Sequence, residues 1–209
     1  MKKVLILISA LFFIVSVLDV KGEDFRRKYR NFSWSQMSLT PSDYPDMDPA
    51  KSKFGASFVT GRTFFFHSKP ILGMIKFGLD ATWVDLNWNN YTSEYMGENG
   101  METASNHQIE YSLHVGPSVA INPVGKLNIN AYFRYAPTFS AQLSMTDDFA
   151  LYGNYATMFV TGGMVSWGII GVGAEYRFGN CNYKTLLGDG VAAAMDMSGF
   201  RAFITLRFK

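Results

Sequence analysis

Along most of this chain apolar and polar residues take turns one by one, and a period of two is compatible only with extended strands. The pattern is cleanest from Ile109 to Asn122, where Ile109, Tyr111, Leu113, Val115, Val119 and Ile121 alternate with Glu110, Ser112, His114, Gly116, Ser118 and Ala120. It returns from Leu127 to Leu143, with Phe133, Tyr135 and Phe139 on the apolar side and Asn130, Tyr132, Arg134 and Gln142 on the other. Shorter copies run from Ile170 to Phe178, from Phe200 to Phe208 and from Ile71 to Trp83. Three further stretches, Asn31 to Leu39, Phe54 to Phe66 and Tyr155 to Val165, have strand composition without clean alternation. Together these predict an all-β chain of eight strands.

The links between the strands alternate short and long. Tight turns are expected at Ser68-Lys69-Pro70, at Asn122 to Lys126 and at Ser166-Trp167-Gly168. Long polar loops are expected at Thr40 to Lys53, Asn87 to His107, Met145 to Asn154 and Asn180 to Ser198. An even strand number with this asymmetry describes an antiparallel up-and-down transmembrane barrel, with short periplasmic turns, longer extracellular loops and both termini at one rim.

A soluble barrel of the lipocalin type would alternate too, with its apolar side turned toward a cavity. The polar side decides between them. It is mainly Gly, Ser, Thr, Asn and Ala rather than the Lys and Glu of a wetted exterior, which fits a crowded interior. Eight strands enclose a space that side chains just fill, so the charged residues on that side are expected to pair within it. They are Lys76, Asp80, Glu110, His114, Arg134, Glu175, Arg177, Arg201 and Arg207. The composition agrees, because 16% aromatic and 17% charged is greasy for a soluble domain although no stretch after the N-terminus is continuously apolar. Trp83, Trp88 and Tyr111 are expected toward the long-loop rim, and Phe64, Phe66 and Phe208 toward the short-turn rim, as interfacial girdles. Arg62 breaks the pattern, since strict alternation from Phe58 points it at lipid; a bulge at Gly61 would turn it inward. Pro117 and Pro137 fall within strands, each removing a ladder donor, so a bulge or a missing bond is expected there.

Lys2 and Lys3 followed by the apolar run Val4 to Val17 read as a signal peptide over residues 1–22, shorter than a spanning helix needs. Residues 23–30, with Arg26, Arg27, Lys28 and Arg30, read as a solvated periplasmic stub, and residues 31–209 as the barrel. Removing 1–22 takes away Lys2, Lys3, Lys21 and Asp19, so the 19 basic and 17 acidic residues become 16 and 16. A neutral chain without a basic stripe gives no footprint for nucleic acid. The lone Cys181 excludes an internal disulfide.

The chain resembles the outer-membrane β-barrel domain family of Gram-negative bacteria, with OmpA/OmpX-type small-barrel architecture. The resemblance covers residues 31–209 and rests on Val115-Gly116-Pro117 before the turn Asn122 to Lys126, on Gly171 to Phe178, and on the closing strand Phe200 to Phe208. It implies outer-membrane lipid and lipopolysaccharide as surroundings and barrel assembly machinery as a partner during insertion. That machinery reads a terminal strand ending in an aromatic, although Lys209 follows Phe208 here. The family does not fix an activity. The reading preferred is a non-enzymatic surface protein whose loops meet an unidentified extracellular partner. The alternatives are a narrow pore using the charged lumen residues, and a lipid-modifying enzyme for which Ser105 with His107 is the candidate pair. His114 reads as a hydrogen-bonded lumen residue and His67 as part of a turn. Asp43, Asp46 and Asp48 lack the glycine and terminal glutamate of a calcium loop, and Asn90-Tyr91-Thr92 matches a glycosylation pattern that this fold contradicts. No cofactor or metal is expected.

Overall fold

The computed structural model describes residues 24–97, 100–145, 149–187 and 193–209, all within or beside one antiparallel sheet. Its strands are β1 (Lys28–Pro41), β2 (Ala50–Phe65), β3 (Ile75–Gly97), β4 (Gly100–Ile121), β5 (Leu127–Met145), β6 (Phe149–Trp167), β7 (Ile170–Asn182), β8 (Lys184–Leu187) and β9 (Ala194–Phe208). Neighbours in sequence pair with one another, and β1 pairs with β9 along its whole length from Lys28↔Phe208 to Pro41↔Met195, which closes the sheet. The four-residue β8 is not an extra stave. Cys181↔Ala156 and Lys184↔Gly153 share one register along β6, so β8 is the outward continuation of β7 across Tyr183, and the barrel has eight strands.

Closure sets the dimensions. Following paired residues once around, from Lys28 through Arg62, Ala81, Val115, Tyr135, Phe159, Phe178 and Ser198, returns to β1 at Ser38, ten residues further on. A shear of that size on eight strands demands a tilt of roughly 35–45° and leaves an interior that side chains can fill. Closure also satisfies every strand edge, the condition for β-structure in hydrocarbon.

The alternation survives folding as an inside-out arrangement. Arg134, Arg177, Arg201, Gln108 and Glu110 are buried, while Phe32, Leu86, Ile109, Leu113, Phe139, Val172, Phe200 and Ile204 are exposed on the outer face. Aromatic side chains brace one another across strands there, as in the Phe133, Phe159 and Phe178 stack at 5.9 and 5.7 Å. A soluble barrel would show the opposite pattern.

Several expectations need correction. The region 87–107, expected as a loop, is ladder: β3 and β4 stay paired from Asn87↔Glu110 out to Gly97↔Gly100. Residues 145–154 and 180–198 are likewise largely strand, leaving 42–49 as the extended link at that rim among the described residues. The first short link spans 66–74 rather than 68–70, and there Leu72 and Gly73 both adopt positive φ. Residues Lys28 to Arg30 belong to β1 rather than to an N-terminal stub, and the signal-peptide reading of 1–22 lies outside the described residues.

A bulge explains the hidden half of β3. Thr60 pairs with Val84 but Gly61 with Thr82, and across β4 the register slips between Thr82 and Asp85, so the additional residue lies on β3 at Trp83-Val84. Thr82 and Asp85 are both buried although two residues lie between them, where strict alternation would put them on opposite faces. The bulge therefore reverses which parity faces inward. Because the extra residue is on β3 and not on β2, Arg62 keeps its outward parity and faces the lipid side, between buried Gly61 and Thr63. The prolines are absorbed differently. Ser112↔Thr138, Val115↔Tyr135 and Ser118↔Tyr132 keep one register across both, so each costs local bonds and no bulge.

Candidate functional site

The lumen is the densest concentration of chemistry in the molecule, and three ion-pair groups organise its middle. Asp80 on β3 is held by Arg134 Nε of β5 at 3.0 Å and accepts from the Tyr29 hydroxyl at 2.6 Å and from Thr63 at 2.9 Å. Glu110 on β4 accepts from Arg177 of β7 at 2.7 Å and from Asn87 at 2.8 Å. Arg201 on β9 bridges Asp85 at 2.7 Å and Glu175 at 3.1 Å, while His114 Nε2 lies 3.0 Å from the same Asp85 oxygen. Tyr132 ties two groups together, donating to Glu175 at 2.8 Å beneath the Arg134 guanidinium, which lies 3.5 Å from its ring centroid.

All nine residues expected in the lumen are buried. Seven of them, Asp80, Glu110, His114, Arg134, Glu175, Arg177 and Arg201, make this network. Lys76 and Arg207 do not join it. Lys76 lies 4.7 Å from the Phe25 ring and 5.4 Å from that of Phe65, near the short-turn mouth. Arg207 donates to the Arg26 carbonyl at 2.8 Å. Phe25 packs on Phe65 at 5.6 Å and the Asn128 amide holds the Asp24 carbonyl at 2.8 Å, so residues 24–27 tuck against this mouth instead of trailing from it.

Sequence reasoning missed Asp85, which takes two partners, because the β3 bulge gives it the parity of an outward residue. It also missed Tyr29, which it left in the N-terminal stub, and it placed Tyr132 on the inward face without foreseeing that the hydroxyl joins the ion pairs.

Above the ion pairs the filling changes. Met37, Met158, Met197, Tyr91, Tyr183, Ala156 and Val160 form an apolar cluster under the long-hairpin rim. Its polar points are few: Gln108 donates to the Tyr183 hydroxyl at 2.9 Å, and Ser140 lies 2.6 Å from the same oxygen. Ion pairs in the middle and this cluster above both bury their side chains inside the barrel.

The outer-rim candidates are simpler. The Asn90 amide donates to Ser105 at 2.7 Å and lies 3.3 Å from His107 Nδ1, while His107 stacks on Trp88 at 5.8 Å. No hydrogen bond joins Ser105 to His107 among the described residues. His67 sits in the 66–74 turn as expected, 2.6 Å from the Lys69 carbonyl. Asp43, Asp46 and Asp48 are exposed in the link between β1 and β2, and no cluster of three or more metal-ligating side chains occurs among the described residues. Trp83 lies lower than expected, sharing a surface groove with Arg30 and Phe208.

No protein-family model and no curated protein matches the chain. Among solved structures it is similar to the outer membrane protease OmpT from Escherichia coli, at 9% identity over 93% of this chain and 100% of that one, with a TM-score of 0.50. Neisserial surface protein A aligns at 10% identity over 87% of this chain and 97% of that one, with a TM-score of 0.49. Ail, the attachment invasion locus protein of Yersinia pestis, aligns at 8% identity over 88% and 100%, with a TM-score of 0.48. At such identities likeness speaks for fold alone. Closed eight-stranded topology, apolar exterior and polar filled interior agree with it: this chain is an all-β barrel of the outer-membrane type.

Proposed function

We propose that the protein is an integral outer-membrane barrel without catalytic function, an anchor whose long-hairpin rim faces outward and meets an extracellular partner. The observation that carries this reading is the lumen itself. Buried guanidiniums, carboxylates and methionines fill it from the Phe25 mouth to Tyr183, which argues against the pore alternative. The β3–β4 ladder meanwhile runs seven further pairs beyond Asn90↔His107, to Gly97↔Gly100, about 24 Å of strand past Asn90 at about 3.4 Å per residue. A rigid ladder of that reach is a surface for contact rather than a solvent-exposed tether.

The enzyme alternative gains nothing from the geometry, since the Asn90 amide contacts both Ser105 and His107 and no bond links nucleophile to base. Shortening the hairpin to a two-residue turn at the level of Asn90 is expected to leave heat-modifiable gel mobility intact. It should abolish adhesion of expressing cells to immobilised matrix and serum proteins. Unchanged adhesion, or single-channel steps from the purified protein in planar bilayers, would refute the proposal.

A further inference from the structure

The lipid-facing surface carries one feature that neither the anchor nor the lumen explains. On the outer face of β1 and β2, near the short-turn rim, Lys28 pairs directly across from Arg62, and Arg30 lies opposite Thr60. Like charges directly opposite on adjacent strands are unfavourable. No carboxylate forms an ion pair with Lys28, Arg30 or Arg62 among the described residues. Arg62 Nε is shielded from solvent and has no hydrogen-bond partner.

Both guanidiniums bend toward the rim over aromatic rings: Arg30 lies 5.7 Å from the Phe208 centroid and Arg62 5.2 Å from that of Phe64. Long cationic side chains snorkel in this way when their Cα atoms lie below the level of the headgroups. An outward arginine costs roughly 2–4 kcal/mol at the bilayer midplane and about 0–1 near the interface, so the position is tolerable where the charge reaches the headgroup level. Immediately above the cations the same two strands present Phe32 and Phe58, with ring centroids 5.3 Å apart. A groove of about 410 Å³ bordered by Lys28, Arg30, Thr60, Trp83 and Phe208 opens beside the cations. Positive charge toward the rim, with a groove at its side, and aromatic hydrocarbon above match the two ends of a single lipid.

We propose that this face is a docking site for an anionic phospholipid of the leaflet at the short-turn rim. Its phosphate lies between Arg30, Arg62 and Lys28, and its acyl chains lie against Phe32 and Phe58. Arginine suits the role because its fork can hold two phosphate oxygens at once. The proposal is independent of what the outer rim binds.

Trp83 borders the groove and can report on it. The protein with Trp34→Phe, Trp88→Phe and Trp167→Phe keeps Trp83 as its only tryptophan. It is reconstituted in phosphatidylcholine vesicles holding a minority of bromine-labelled phosphatidylglycerol or, separately, the same minority of bromine-labelled phosphatidylcholine. Quenching of Trp83 should show about a fivefold preference for the anionic headgroup, the worth of one interfacial cation facing an anionic lipid. The preference should disappear in Arg30→Gln/Arg62→Gln, persist in Arg30→Lys/Arg62→Lys, and persist in Lys51→Gln/Lys53→Gln at the opposite rim. Equal quenching by the two lipids in the parent overturns the proposal without any further variant having to fold. Loss of preference in the Lys51/Lys53 variant overturns it as well, because the effect would then be general charge attraction. Inorganic phosphate that displaced the labelled lipid at equal concentration would overturn the lipid as occupant.

Discussion

The two halves of the lumen are filled by opposite chemistries. In the middle, Asp80, Asp85, Glu110 and Glu175 face Arg134, Arg177 and Arg201, with each contact depending on a named partner. Toward the long-hairpin rim Met37, Met158 and Met197 pack with Tyr91 and Tyr183, and what counts there is volume. A buried ion pair adds little net stability over an apolar replacement, but breaking one is expensive. Methionine is pliable and tolerates exchange. The lower half therefore sets which strands sit opposite one another, and the upper half seals what that arrangement leaves open.

The largest effect should come from disturbing the element that delivers residues to both halves. Deleting Trp83 and Val84 together removes the β3 bulge and one ladder position beside it, which sets Asp85 next to Thr82 and turns Asp85, Asn87 and Asn89 outward, so the refolded fraction on a heat-modifiability gel should fall to near zero. Next, Arg177→Met strands Glu110 in the barrel and should cost about 3–5 kcal/mol in urea unfolding of the detergent-folded protein. Adding Glu110→Leu to it should recover most of that loss, and a double variant no better than the single one would break the contrast between the halves. In the upper half, Met158→Ala should cost roughly 2–3 kcal/mol and Met37→Leu under about 1.5 kcal/mol in the same assay.

The smallest effect concerns Cys181, buried near the outer end of β7. Maleimide labelling at pH 8 should be slow in the folded barrel and fast in urea. Rapid labelling of the folded protein would show that the upper half is loosely sealed.

Much of the architecture could be read in advance, because lipid outside and polar filling inside impose a period of two on strands such as β4, β5, β7 and β9. The charged lumen residues were legible for the same reason. What escaped has specific causes. The bulge at Trp83-Val84 inverts parity, so Asn87 and Asn89 read as loop residues when they line the lumen. Beyond the belt the outer face need not be apolar, so Asn90, Thr92, Ser105 and His107 lose the contrast that marks a strand. The upper cluster was invisible because methionine and alanine at inward positions look no different from lipid-facing residues. Arg62 shows the converse: strict alternation was right about it, and the proposed rescue was not.

The junction of β1 with β9 joins the first and last strands of the barrel along fourteen paired positions. Until the final strand exists, any growing or partly folded form has two raw margins of unsatisfied amides and carbonyls, and those margins must meet across nearly the full chain length. Assembly is thus obliged to wait for completion, and the interval in which both margins are bare is when an escort in the aqueous space matters most.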